Sequence, residues 1–249
     1  MKSRIRHRVW YELRQVALPD SRHHWDFDNF IADFNGSDRA VARLTRLPVY
    51  QNADILFVAP DNCLELLRWK CLLDGKTILM TTYGIRRGFW LLDPALIQPR
   101  DYRYAATLDG MERVAQPVTL QDIRTNYKGG LGLLVTGSGA INTHGVRFGK
   151  GHGFFDLEWA MLWSVGAVSI SRSVIVAIVH DCQLLDEELQ PEDFDTVCDV
   201  VITPTRTVEV SGVRKKPELG IIWPLLQTGM LENIPPLREL KVLQENTII

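Results

Sequence analysis

The chain lacks any apolar run long enough to cross a bilayer. Its longest, around Val174–Val179, falls far short of the roughly 20 residues that a spanning helix needs. It also lacks an excess of charge of either sign. With 28 Lys+Arg against 30 Asp+Glu, the formal net charge is −2, so no basic field draws it to nucleic acid or to an anionic membrane. Cysteine is scarce: Cys63, Cys71, Cys182 and Cys198 form no C-x-x-C pair and show no metal-ligand spacing. They read as buried, reduced thiols. The opening MKSRIRHRVWYEL is basic but has no apolar core and no small-residue cleavage site, which argues against a signal peptide and for a cytoplasmic protein. No internal repeat or low-complexity tract is visible.

What is present is 46% hydrophobic sequence over 249 residues, enough for a sizeable core. Residues 2–17 carry Ile5, Val9, Trp10, Leu13 and Val16 at helical spacing. Residues 18–36 are polar, aromatic and irregular, and Asn35-Gly36-Ser37 predicts a turn with Ser37 as N-cap of the next helix. Five short, nearly all-apolar runs follow as strands: 53–60, 75–82, 131–137, a part of 168–179, and 198–204. Helices are predicted over 62–73, after the first strand, and over 154–165, after the third. Strands that are apolar on both faces and alternate with helices predict an α/β layer structure with a mostly parallel central sheet. No linker is apparent, so the expectation is one domain over 1–249. Its last part, 207–249, is punctuated by Pro217, Pro224, Pro235 and Pro236 and would be an extension packed on that domain.

The most distinctive stretch is GVRFGKGHGFFD, from Gly145 to Asp156. Four glycines, Gly145, Gly149, Gly151 and Gly153, fall within nine residues, with Arg147 and Lys150 among them. Glycine lets backbone N–H groups approach an anion closely, and the following helix adds partial positive charge at its N-terminus. Lys150 and Arg147 could neutralise phosphate oxygens, and Asp156 could hold a magnesium ion bridging them. The spacing matches neither G-x-x-x-x-G-K-[ST] nor G-x-G-x-x-G. A glycine-rich turn with solvated charges and an Asp that caps the helix accounts equally well for the residue types.

The order Arg147-Phe148-Gly149-Lys150-Gly151-His152-Gly153-Phe154-Phe155-Asp156 resembles the R-[LIF]-G-x-G-x-G-[YF]-[YF]-D signature of 5-formyltetrahydrofolate cyclo-ligases, the methenyltetrahydrofolate synthetases. Lys2 and Arg6 are similar to the family's N-terminal K-x-x-x-R, and Gly75-Lys76 to its G-K before a strand. Gln183, Asp195, Asp199 and Thr203 resemble its Q…D-x-x-x-D-x-x-x-T segment. The resemblance runs over about 2–206 and implies a single three-layer α/β/α domain of cyclo-ligase type. It implies ATP and Mg²⁺ as cofactors and a reduced folate, or a related heterocycle, as small-molecule substrate. It implies that ATP phosphorylates the formyl oxygen, after which N10 attacks and closes the methenyl ring. Gly149, Lys150, Gly151, Gly153 and Phe154 would line the nucleotide site with Lys2 and Arg6. Lys150 and Arg147 would stabilise the transferred phosphoryl group, Asp156 would hold the metal, and Asp61 would face the folate.

The chain departs from the family pattern mostly on the folate side. Asp61-Asn62-Cys63-Leu64 stands where E-V-D-T is usual, Phe154-Phe155 where Tyr-Tyr is, Leu157 where Arg is, and Thr81 where Pro is common. The segments GKGHGFFDLEWAML and VHDCQLLDEEL resemble the branch of methenyltetrahydrofolate synthetase domain-containing type, which is linked to thiamine metabolism. Two functions follow: a cyclo-ligase-type enzyme, or a nucleotide-binding relative without that turnover. Elsewhere, His180 reads as a loop histidine and Trp159 with Trp163 as core. His23-His24 with Asp26 and Asp28 does not promise a metal site. Tyr83–Phe89, with Arg86 and Arg87, is either an anion-binding loop or a solvated one.

Overall fold

The computed structural model describes residues 2–149, 151, 153–211 and 215–246. Eleven strands appear in chain order: Ile55–Val58 (β1), Thr77–Thr81 (β2), Phe89–Leu92 (β3), Gln116–Val118 (β4), Leu133–Thr136 (β5), Ala140–Asn142 (β6), Arg147–Phe148 (β7), Val174–Ile178 (β8), Leu184–Leu185 (β9), Val200–Ile202 (β10) and Thr207–Glu209 (β11). Eight of them form one sheet in the order β11-β10-β8-β5-β1-β2-β3-β4. Five adjacent strands, β10, β8, β5, β1 and β2, are parallel, and they are the five apolar runs read from the sequence. The other three pair antiparallel: β3 and β4 extend the β2 side, and β11 closes the β10 side. Pro117 sits in β4, at an edge, where a missing N–H interrupts no ladder. The fold is thus α/β with a mostly parallel central sheet flanked by helices.

From β1 the chain moves one way along the sheet, through helix Glu65–Leu73 to β2. From β5 it moves the other way, through helix Phe154–Ser164 to β8. Parallel crossovers are right-handed, so the two helices fall on opposite faces. The reversal leaves a crevice outside the carboxyl ends of β1 and β5, the usual place for a ligand in such sheets. A continuous core fills both faces. Ile221, Ile234, Leu237 and Leu240 from the C-terminal residues belong to it. Trp159 is buried there with its indole N–H donated to the Pro217 carbonyl at 3.0 Å, and Trp163 stacks on it.

A smaller sheet, β7-β6-β9, lies beside the main one and carries helix Lys2–Leu13. Ile5 and Val9 pack with Ala140, Val146 and Phe148. The helix stops at Leu13, earlier than its apolar spacing predicts. Ala17 bridges to Phe34, and Leu18 N–H bonds the Asp33 carbonyl, so the chain pairs with 33–35 instead of continuing to turn. Ser37 is the first residue of the next helix and not its cap. Gly36, at φ 91°, takes the capping position without a side-chain bond. Among the described residues no helix is long and apolar enough to cross a membrane.

Candidate active site

A cavity of about 360 Å³ opens past the carboxyl ends of β1, β2 and β5. Three walls meet there. The first is the glycine loop: Arg147, Phe148, Gly149, Gly151, Gly153, Phe154 and Asp156 all border the cavity. Gly151 has φ 109° and Gly153 φ 65°, conformations that a side chain disfavours. A Cβ on Gly151 would lie 2.9 Å from Arg6 Nη1, so Arg6 from the first helix reaches directly over the loop. Its guanidinium also lies over the Phe148 ring at 5.8 Å. Gly153 caps an 11-residue helix, Phe154–Ser164, whose N–H groups face the same space. Lys150, and with it His152, lies outside the described residues. Lys2 begins the first helix, four residues before Arg6.

Arg147 comes from the two-residue strand β7. Its Nη2 donates to Asp156 Oδ1 at 2.7 Å and to Thr196 Oγ1 at 3.3 Å, and its guanidinium lies over the Phe155 ring at 4.5 Å. The side chain is buried, and Nε has no hydrogen-bond partner among the described residues. A buried guanidinium N–H with no partner at the rim of a cavity is a ready donor for an anion. Asp156 Oδ1 accepts from the backbone N–H of Thr196 at 2.9 Å and from its hydroxyl as well. Three donors therefore hold one oxygen of the carboxylate expected to bind metal. No group of three or more His, Cys, Asp or Glu that could hold a metal occurs among the described residues. A magnesium ion here would take its ligands from phosphate oxygens and water, with Asp156 as a single protein carboxylate, which is ordinary for that ion.

The second wall is the end of β1. Asp61 Oδ2 accepts the Gly137 N–H at 2.7 Å, across the crevice to the end of β5, and lies 3.4 Å from Thr136 Oγ1. Its own carbonyl accepts from Arg68 Nη1 at 3.0 Å. Arg68 is fully buried and also donates to the carbonyls of Ala59 and Ala106, at 3.1 and 2.7 Å. Burial pulls its pKa down from the usual arginine value.

The third wall is apolar. Phe30, Ile31 and Tyr83 border it, and Leu219, Ile221, Leu225 and Met230 close it from the C-terminal residues. His23 stacks on Tyr83 at 5.5 Å, and Arg22 lies over the same ring. Asp20 fixes this corner. Burial opposes its charge, yet bonds from Arg22, Asn62 and the Arg22 and His23 N–H groups hold its carboxyl well below the usual range. Of the Tyr83–Phe89 segment, Tyr83 and Gly84 reach the cavity, while Arg87 pairs with Glu112 at the surface.

Glu158, one turn into helix Phe154–Ser164, also borders the cavity. It is 1% exposed and accepts from the Thr81 hydroxyl at the end of β2. Burial pushes its carboxyl up to about 8; Asp61 and Asp156 add to the rise, and Thr81 and Arg147 oppose it. Sequence reasoning missed this residue. A signal was there: Glu158 shares a helix face with Phe155, Met161 and Leu162, all buried, where a charge is out of place.

Gln183, Asp199 and Thr203 hold loops together. Gln183 Nε2 donates to the Ser138 carbonyl at 2.6 Å, Asp199 accepts the Ile175 N–H at 2.7 Å, and Thr203 donates to Asp181 at 2.6 Å. Asp195 borders the cavity. His180 is a loop histidine whose Nδ1 accepts the Cys182 N–H at 3.2 Å. The four cysteines are free thiols, and burial raises the pKa of each, which favours the protonated form.

The family model of the 5-formyltetrahydrofolate cyclo-ligase family matches residues 1–204. The chain belongs to the 5-formyltetrahydrofolate cyclo-ligase family. Within it, the chain is 36% identical over 251 residues to the methenyltetrahydrofolate synthase domain-containing protein of Homo sapiens, covering 98% of this chain and 62% of that protein. The Danio rerio protein of the same name is 34% identical over 248 residues, 97% of this chain and 62% of that one. The chain thus spans less than two thirds of these relatives. The fold is similar to the NMR structure of Aquifex aeolicus 5,10-methenyltetrahydrofolate synthetase, with a TM-score of 0.51 at 17% identity, over 86% of this chain and 94% of that one.

Proposed function

We propose that the chain is an ATP-dependent cyclo-ligase-type enzyme that converts 5-formyltetrahydrofolate to 5,10-methenyltetrahydrofolate. The carrying observation is one cavity with an anion cradle at one side and carboxyl groups with flat apolar walls at the other. The glycine loop, the helix N-terminus, Arg6 and Arg147 fit a polyphosphate. Lys150 and Lys2 add charge from the same two segments. When bound, magnesium neutralises phosphate charge, with Asp156 as its protein ligand. Arg147 and Lys150 hold the transferred phosphoryl group, which passes from ATP to the formyl oxygen. That oxygen then departs as phosphate when N10 attacks. Residues 207–249 act as part of the same single domain, closing the cavity over the bound molecules and shielding the phosphorylated intermediate from water.

A second reading is a nucleotide-binding relative without this turnover, acting on another heterocycle such as one of thiamine metabolism. The observation that favours it is Asp61, whose carboxylate is engaged by Gly137 where the family's longer Glu would face the folate. The deciding experiment follows methenyl product by its near-ultraviolet absorbance, with ATP and Mg²⁺ present and with each omitted. Turnover that needs both establishes the cyclo-ligase. ATP binding without turnover leaves the second reading.

A further inference from the structure

We propose that Glu158 is the carboxyl that reads the N–H edge of the folate's pyrimidine ring in this cavity, with Thr81 as the residue that positions it. This inference rests on the reduced-folate reading above. Glu158 is enclosed by protein yet borders the cavity, and Thr81 is its single hydrogen-bond partner among the described residues. A buried carboxyl with one neutral donor is short of partners. A 2-amino-4-oxopyrimidine offers two: its 2-amino group and N3–H lie side by side, and the two oxygens of an ionised carboxylate accept them as a pair. Asp61 is less suited to that task. It is one methylene shorter, and its Oδ2 is spent on Gly137 N–H in tying β1 to β5.

The supports of Glu158 are rigid. It stands on a helix, and Thr81 is fully buried at the end of an inner strand. Such placement fixes a recognition group better than a loop does. Phe30, Tyr83, Phe154 and Phe155 border the same cavity and give the ring system flat apolar surfaces. Thr81 takes the place of the family's common Pro, which has no hydroxyl to hold a carboxyl, so the two residues belong together.

The test is calorimetric binding of 5-formyltetrahydrofolate, and separately of ATP, to the wild-type chain, Glu158→Gln, Thr81→Val and Thr81→Ser. Glu158→Gln keeps the shape and the acceptor for Thr81, so folding is preserved; far-ultraviolet circular dichroism checks it. The expected result is a loss of folate affinity of about ten- to a hundredfold in Glu158→Gln. Thr81→Val shows a smaller loss that Thr81→Ser restores, and ATP affinity is unchanged throughout. A 2-desamino analogue of the folate should bind wild type and Glu158→Gln alike. Folate binding unchanged in Glu158→Gln overturns the role of Glu158 and leaves the folate reading standing. Wild-type chain that binds ATP but no folate overturns the folate reading, and this inference with it.

Discussion

Arg147 Nη2 lies 2.7 Å from Asp156 Oδ1, so one ion pair joins the strand before the glycine loop to the helix after it. Both side chains are largely buried, at 5% and 16% exposure, and Thr196 shares the same oxygen. The loop is therefore clamped at both ends, and its open backbone is held where an anion would meet it. Breaking a buried pair from one side leaves a charge uncompensated. Asp156→Ala should cost about 2–4 kcal/mol in urea unfolding with an unchanged m-value. Asp156→Asn should cost less, because an amide oxygen still accepts from Thr196.

The glycine at 151 makes a separate prediction. Its φ of 109° strains any side chain, and the atom that an added Cβ meets is Arg6 Nη1 at 2.9 Å. That atom ends a flexible side chain and can move, so the steric cost is small. The backbone strain of Gly151→Ala should cost about 1–2 kcal/mol in thermal unfolding. Moving Arg6 out of the cradle should matter more to function than to folding. ATP affinity measured by calorimetry should fall by about tenfold, and Arg6→Ala should lose about as much without the stability cost.

Much of this arrangement is legible in the sequence, for a physical reason. The five parallel strands are buried on both faces, so they appear as unbroken apolar runs such as ILFV and VIVAI. The edge strands are not legible. Gln116–Val118 has two exposed residues, one of them a proline, and Arg147–Phe148 has two residues, too few for any period. The glycine loop leaves a pattern in residue types, whereas Arg6, far away in the sequence, is joined to it only through the family resemblance. Glu158 leaves only a charge out of place on a buried helix face, and Arg68 no pattern that points to a site. Each lies inside a helical apolar stretch, and only the fold shows that Glu158 faces a cavity and that Arg68 meets three carbonyl oxygens.

Arg68 supports Asp61 from behind. Its removal leaves the carbonyls of Ala59, Asp61 and Ala106 buried without their donor. Arg68→Met fills the volume but supplies no N–H, so the cost should be about 3 kcal/mol or more in chemical unfolding. In an active enzyme the loosened 59–61 turn should raise KM for the folate more than KM for ATP, since the glycine loop stands on other elements.

Glu158 ties stability to pH. Its pKa is raised from an ordinary 4.5 to about 8, with burial as the largest cause. The unfolded chain loses this proton near pH 4.5, whereas the folded chain without bound ligand keeps it until about pH 8. The contribution is therefore fully present below the unfolded value and is lost as pH rises to the folded one. Over that window the unfolded state binds fewer protons, so stability should fall by about 1.4 kcal/mol per pH unit on account of this group alone. Glu158→Gln cannot ionise and removes that slope. Unfolding free energies measured at pH 5, 6.5 and 8 should show the variant gaining steadily on wild type as pH rises. Parallel profiles for the two proteins would mean that the carboxyl is already ionised in the folded chain, with its charge satisfied by a partner or by water in the cavity.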